Sequence, residues 1–217
     1  MRIVEISGMI DNDMWDYGEP FPPAKIEEIA RVEKDGFSAH KFLLSTLSGT
    51  YLETGAHLFS GIRTVDELKP EELVREAVVI KTPKSGTETI TVEDLERAGA
   101  KLKKWDTLLV YTGWYKMWNK KEFVEKSPYF THEAMDWIID KKIKFLGGDF
   151  PCFDNHLHPV EGKDLPLLKK FYKKSGRIIL APIINGDKIR KKRVKLFVFP
   201  LRIKGASAVP SRAIVIE

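Results

Sequence analysis

Apolar and polar residues alternate in short runs along this chain, and the period of the pattern changes several times. The opening "RIVEIS" alternates and is rich in β-branched residues, so it predicts a strand. "KIEEIARVE" fits either period, but the turn signal "EKDGF" behind it favours a hairpin, with "HKFLLSTL" as the returning strand. "REAVVIKT", "DTLLVYTG", "IKFLGGDF" and "RIILAPII" are compact apolar runs, the mark of buried strands. The tail, "VKLFVFPLRIKG" and then "SRAIVIE", predicts two more. Three segments carry helix caps. "TVEDLERAGA" starts on Thr91 with Asp94 three positions on and closes at Gly99, "THEAMDWIIDKK" is capped by Thr131, and "DLPLLKKFYKKSG" stops at Gly176. Many strands, few short helices and no sustained strand–helix–strand alternation predict one α/β or α+β domain over residues 1–217, a mixed sheet with peripheral helices.

Composition narrows the class. The 217 residues are 43% hydrophobic and 11% aromatic, which suits a globular chain with a full core. No apolar run is long enough to span a membrane, and "MRIVEISGMI" is too short and polar for a secretory signal. Cys152 is the single cysteine, so no intrachain disulfide forms, and a cytoplasmic location is expected. The net charge of +5 and the basic runs "KKFYKKSGR" and "GDKIRKKRVK", with Phe171 and Tyr172 among them, raise nucleic acid as a partner. Against it, 31 acidic residues are interspersed and no nucleic-acid motif accompanies the bases. The expectation is a solvated basic face, with neither nucleic acid nor membrane as partner.

Candidate chemistry is sparse. There is no G-x-S-x-G elbow, and "TPKSGTET" lacks the spacing of a phosphate loop. Cys152, four residues before His156, is expected to be a small structural side chain. Of the five histidines, His132 falls in the first turn of a helix and His40 on a strand. The stretch "LSGTYLETGAH", Leu47–His57, holds a glycine turn with Glu53 and His57 four apart. A divalent ion needs three or more N, O or S donors. Glu53 and His57 supply two, and Asp149, His156 or His158 would add more if their loop meets this one.

Three long collinear segments carry a resemblance: "ITVEDLERAGAKLKKWDTLLVYTGW", "PYFTHEAMDWIIDKKIKFLGGDFPCFD" and "FPLRIKGASAVPSRAIVIE". Over almost the whole chain the sequence resembles the cyclase superfamily of metal-dependent hydrolases, which includes bacterial kynurenine formamidases and has isatin hydrolases as relatives. The resemblance implies a swivelling β/β/α fold and a homo-oligomer. It also implies hydrolysis of a small cyclic or linear amide, lactone or ester, at a two-ion zinc or manganese site. The family signature is H-x-G-T-H-x-D-x-P-x-H. Gly49 and Thr50 match it, its two metal-binding histidines fall on Leu47 and Tyr51, its shared aspartate on Glu53, and its acid–base histidine on His57. A further histidine and glutamate fall on Lys169 and Ala181. Leucine and alanine offer no donor atom, and lysine adds a cation where one would have to bind.

The resemblance therefore implies either one divalent ion, held by Glu53 and His57 in a rebuilt site, or none. Without an ion, Glu53 and His57 serve as base and acid, with Tyr51 orienting a carbonyl. Trp15, Tyr17 and Trp114 are the aromatics implied for the pocket wall, and Asp149 is a candidate substrate contact. The alternative is a catalytically silent member that binds a small molecule or a protein in the old pocket.

Overall fold

Backbone hydrogen bonds in the computed structural model, which describes residues 1–97, 101–155, 165–173 and 176–217, mark out twelve strands. In chain order they are β1 (Ile3–Glu5), β2 (Lys25–Ala30), β3 (Ala39–Leu43), β4 (Tyr51–Thr54), β5 (Val74–Lys81) and β6 (Thr89–Ile90). Then come β7 (Thr107–Tyr111), β8 (Tyr129–Phe130), β9 (Phe145–Gly148), β10 (Ile178–Ala181), β11 (Arg193–Pro200) and β12 (Ala208–Ile216). The helices are short: α1 (Val32–Asp35), α2 (Val92–Arg97), α3 (Glu122–Glu125), α4 (His132–Asp140) and α5 (Pro166–Tyr172).

The main sheet runs β12, β11, β5, β7, β9, β10, β4, and β4 then pairs back onto β12, so seven strands form a closed ring. β1 extends it, lying antiparallel along Ile214–Ile216 of β12. Strand alternation splits the core in two. Leu109 and Tyr111 of β7, Leu52 of β4 and Val79 of β5 pack in an inner cluster with Val194, Leu196 and Val198 of β11. Leu108 and Val110 of β7, Ile80 of β5 and Ile179 of β10 face outward, against Ala134, Met135 and Ile138 of α4 and Leu167 and Phe171 of α5. This is the mixed-sheet α+β fold with peripheral short helices that the sequence implies.

Two features depart from the expectation. β5, β7, β9 and β10 lie parallel side by side, with α4 crossing from β7 to β9 and α5 from β9 to β10. Parallel neighbours need such crossovers, so strand–helix alternation is sustained from β5 to β10, where no sustained alternation was expected. The second departure is β4. The segment Tyr51–Thr54 reads as part of a loop, because four residues show no resolvable period; β10 and β12 on either side hold it extended, and all four residues are buried. The expected hairpin is present as β2–β3, with α1 and Gly36 in the connection, and it leaves Phe42 and Leu43 exposed.

The caps form as their residues dictate. Thr91 N donates to Asp94 Oδ2 at 2.9 Å and Asp94 N to Thr91 Oγ1 at 3.3 Å, a reciprocal box at the start of α2. Gly99, the expected stop of that helix, lies outside the described residues. Thr131 Oγ1 accepts from Ala134 N at 3.1 Å and opens α4. In α5, Phe171 and Tyr172 are buried while Lys169 and Lys170 are exposed, so the aromatics of that basic run are not free to grip phosphate. Among the described residues no helix is long and apolar enough to cross a membrane.

Candidate functional site

The chain enters β4 through Gly49, which has φ +69°, a region that favours glycine, and leaves it through a single helical turn at Gly55–His57. In the sheet, Ala181 of β10 stands opposite Tyr51 and Ile179 opposite Glu53. Alternation along β4 sends Leu52 to the inner cluster, and Tyr51 and Glu53 to the side where α5 packs. There Leu47, Tyr51, Glu53 and His57 line one wall of a cavity of about 420 Å³. Tyr17, Phe21, Phe153 and Leu168 contribute to the remaining walls.

Glu53 is 4% exposed. Tyr172 of α5 donates its hydroxyl hydrogen to Glu53 Oε1 at 2.8 Å, and among the described residues Oε2 accepts no hydrogen bond. Burial raises the Glu53 carboxyl above the usual range, against the opposing pull of His57 and of the Tyr172 hydroxyl. His57 acts on it through the cavity, since no hydrogen bond or ion pair joins the two among the described residues.

The phenol hydrogens can be assigned one by one. Tyr17 Oη lies 2.8 Å from the Pro151 carbonyl, which can only accept, so the Tyr17 hydrogen is spent there. Tyr51 Oη is 2.8 Å from Tyr17 Oη and must therefore donate to it. Burial holds the pKa values of Tyr17, Tyr51 and Tyr172 well above the ordinary phenol value, so all three keep their hydrogens at neutral pH. Tyr51 thus offers the cavity a lone pair and no hydrogen. In this arrangement the Tyr51 hydrogen points to Tyr17 and not to a carbonyl in the cavity.

Other expected site residues stand elsewhere. Asp149 is fully buried and does not line the cavity. Its Oδ1 accepts from Thr112 N and Thr112 Oγ1, both at 2.7 Å, and its Oδ2 accepts from Gly113 N at 2.7 Å. Burial still pushes it up to about 6 against those donors. It pins the Thr112–Trp114 turn rather than meeting a substrate. Trp15 packs edge-on against Tyr17 at 5.0 Å and against Trp118 at 5.7 Å, behind the wall and not on it. Trp114 is likewise buried and donates its Nε1 hydrogen to Phe123 O at 2.8 Å. Cys152 does line the cavity, and burial pushes its thiol up to about 12, so it is a neutral packing group as expected. His40 and His132 are exposed, while His156 and His158 lie outside the described residues.

Sequence reasoning missed Tyr172. Its place beside lysines marks it as surface, and only the i, i+4 spacing with Leu168 hints that it faces inward. It also missed the role of Asp154, whose carboxylate accepts from Leu167 N at 2.7 Å and Leu168 N at 3.0 Å and anchors the start of α5.

The metal set is tested by the donors present. Leu47 and Ala181 are apolar, the Tyr51 hydrogen is committed, and Lys169 does not line the cavity. Among the described residues no group of three or more His, Cys, Asp or Glu side chains converges on a point. Glu53 and His57 make two donors where an ion needs at least three, so the described residues do not fit the divalent site.

The family described as "Putative cyclase" matches residues 4–155. Isatin hydrolase A from Ralstonia solanacearum superposes with a TM-score of 0.86 at 21% identity, over 99% of this chain and 91% of that one. Isatin hydrolase A from Labrenzia aggregata, bound to benzyl benzoate, gives 0.84 at 22% identity over 99% and 93%. A structure described as a "predicted metal-dependent hydrolase from Bacillus stearothermophilus" gives 0.78 at 18% identity over 99% and 97%. No curated protein matches.

Proposed function

The chain belongs to the cyclase family, and from that premise we propose that it hydrolyses a small cyclic or linear amide, lactone or ester in the cavity beside β4. The observation that carries this reading is the joint presence of Glu53 and His57 on one apolar cavity large enough for a compact ring. In this reading Glu53 takes a proton from the attacking water and His57 returns one to the leaving group. Acid–base catalysis of this kind contributes roughly 10²–10⁴-fold, which suits activated esters and lactones better than unactivated amides. No step is assigned to a metal ion, because the described donors do not assemble one.

A second reading, a silent member that binds a small molecule, has an observation in its favour. Leu47 and Tyr51 share the cavity with Glu53, one apolar and the other a phenol whose hydrogen is already used. One screen separates the two. Wild type and His57→Ala are offered amides, lactones and esters, with and without zinc or manganese. Turnover that falls at least about 10²-fold in His57→Ala supports the hydrolase. Equal rates in both proteins remove His57 from catalysis, a requirement for added metal shows that a site lies beyond the described residues, and ligand binding without turnover favours the silent member.

A further inference from the structure

Resting on the assignment of this cavity as the ligand site, we propose that its occupant carries an ammonium group on an apolar body, held between Glu53 Oε2, the Tyr51 hydroxyl oxygen and the aromatic wall. The three phenols argue in the same direction. Tyr17 gives its hydrogen to Pro151 O, Tyr51 gives its hydrogen to Tyr17, and Tyr172 gives its hydrogen to Glu53 Oε1. What these side chains leave for a ligand is the Tyr51 lone pair and Glu53 Oε2, both acceptors. A ligand with no donor anywhere on it would leave both unpaired, and unpaired polar groups at a buried contact are costly, so an ester or lactone substrate is expected to carry its donor on another part of the molecule.

Charge and wall chemistry sharpen donor into cation. Among the described residues lining the cavity there is no lysine or arginine, although the chain is basic overall, and His57 is the one that can carry positive charge. A buried carboxylate needs a positive partner or several donors, and among the described residues Glu53 has one donor, Tyr172, with His57 acting on it only through the cavity. Tyr17, Phe21, Tyr51 and Phe153 supply ring faces, the wall that favours an organic cation over a strongly hydrated metal ion. Leu47, Leu165 and Leu168 accept a hydrocarbon body, while Cys152, Asp154 and Asn155 add polar groups to the lining.

The test is titration calorimetry at pH 7 with three probes of one shape: 2-phenylethylamine, 2-phenylethanol and phenylacetate. The amine is expected to bind at least about tenfold more tightly than the alcohol, a difference of roughly 1.4 kcal/mol, with phenylacetate weakest. Glu53→Gln should bring the amine down to the affinity of the alcohol while the alcohol is unchanged, and Tyr51→Phe should weaken the amine in the same direction. The proposal is overturned if the alcohol or phenylacetate binds as tightly as the amine, if none of the three binds, or if Glu53→Gln keeps the preference. Thermal unfolding of each variant shows that it is folded before it is titrated. The measurement involves no turnover, so an inactive protein leaves it standing, while an active hydrolase that prefers the alcohol overturns this inference alone.

Discussion

Gly49 and Thr50, the two signature positions that the chain keeps, turn out to have packing reasons for being kept. A Cβ on Gly49 would sit 2.6 Å from Ile10 Cγ1, on a backbone already at φ +69°. Thr50 Oγ1 accepts from Gly8 N at 3.0 Å and donates to Pro182 O at 2.5 Å, joining the entry of β4 to two remote segments. Gly49→Ala should therefore cost about 1–3 kcal/mol in urea unfolding, whatever the protein catalyses, and an unchanged midpoint would show that Ile10 yields freely. The identity of these residues was legible in the sequence; their reason was not, since Ile10, Gly8 and Pro182 are distant in the chain. Asp149 gives a residue-scale prediction with a definite sign. Its folded pKa of about 6 lies above the ordinary value of 3.8, so the native state holds the proton more tightly. That contribution to stability is complete below about pH 4 and is lost as pH rises towards 6. Asp149→Asn places a donor where Gly113 N or Thr112 N donates, and it should be destabilised by about 1–3 kcal/mol at pH 4. The gap to wild type should narrow as pH rises to 7, as followed by urea unfolding at each pH; a constant gap would mean that Asp149 titrates alike in both states.

At the scale of elements, the well-capped helices were readable because Thr91, Asp94 and Thr131 act within their own turns. α5 is different. Its opening N–H groups are satisfied by Asp154, a residue outside the helix and beyond local pattern reading. The same helix carries Tyr172 to Glu53, so the cap and the cavity are mechanically linked. Asp154→Ala should cost about 0.5–2 kcal/mol in thermal unfolding, the usual range for a lost cap. It should also weaken any cavity ligand, because the start of α5 supplies Leu165 and Leu168 to the lining. Loss of stability with ligand affinity intact would show that the cap and the cavity are independent. β4 was illegible for a complementary reason. "YLET" holds a glutamate and a threonine on a strand buried on both faces, and only its two neighbours make it a strand.

For the whole molecule, the class of fold and the order of its segments could be read from the sequence, because the long apolar runs each announce a strand. Closure of the sheet could not, since it depends on one short strand with no pattern of its own. The two partners of that strand, β10 and β12, lie late in the chain, with Ala208 of β12 facing Glu53 and Ala181 of β10 facing Tyr51. During synthesis β4 emerges early and must wait, extended and unpaired, until most of the remaining chain has left the ribosome. The Tyr51 and Glu53 side chains can take their places only then, when α5 too is available to bring Tyr172 against them. A ligand that needs the finished cavity therefore meets this protein only after β12 has emerged and closed the sheet, whereas a chaperone can meet β4 while it waits.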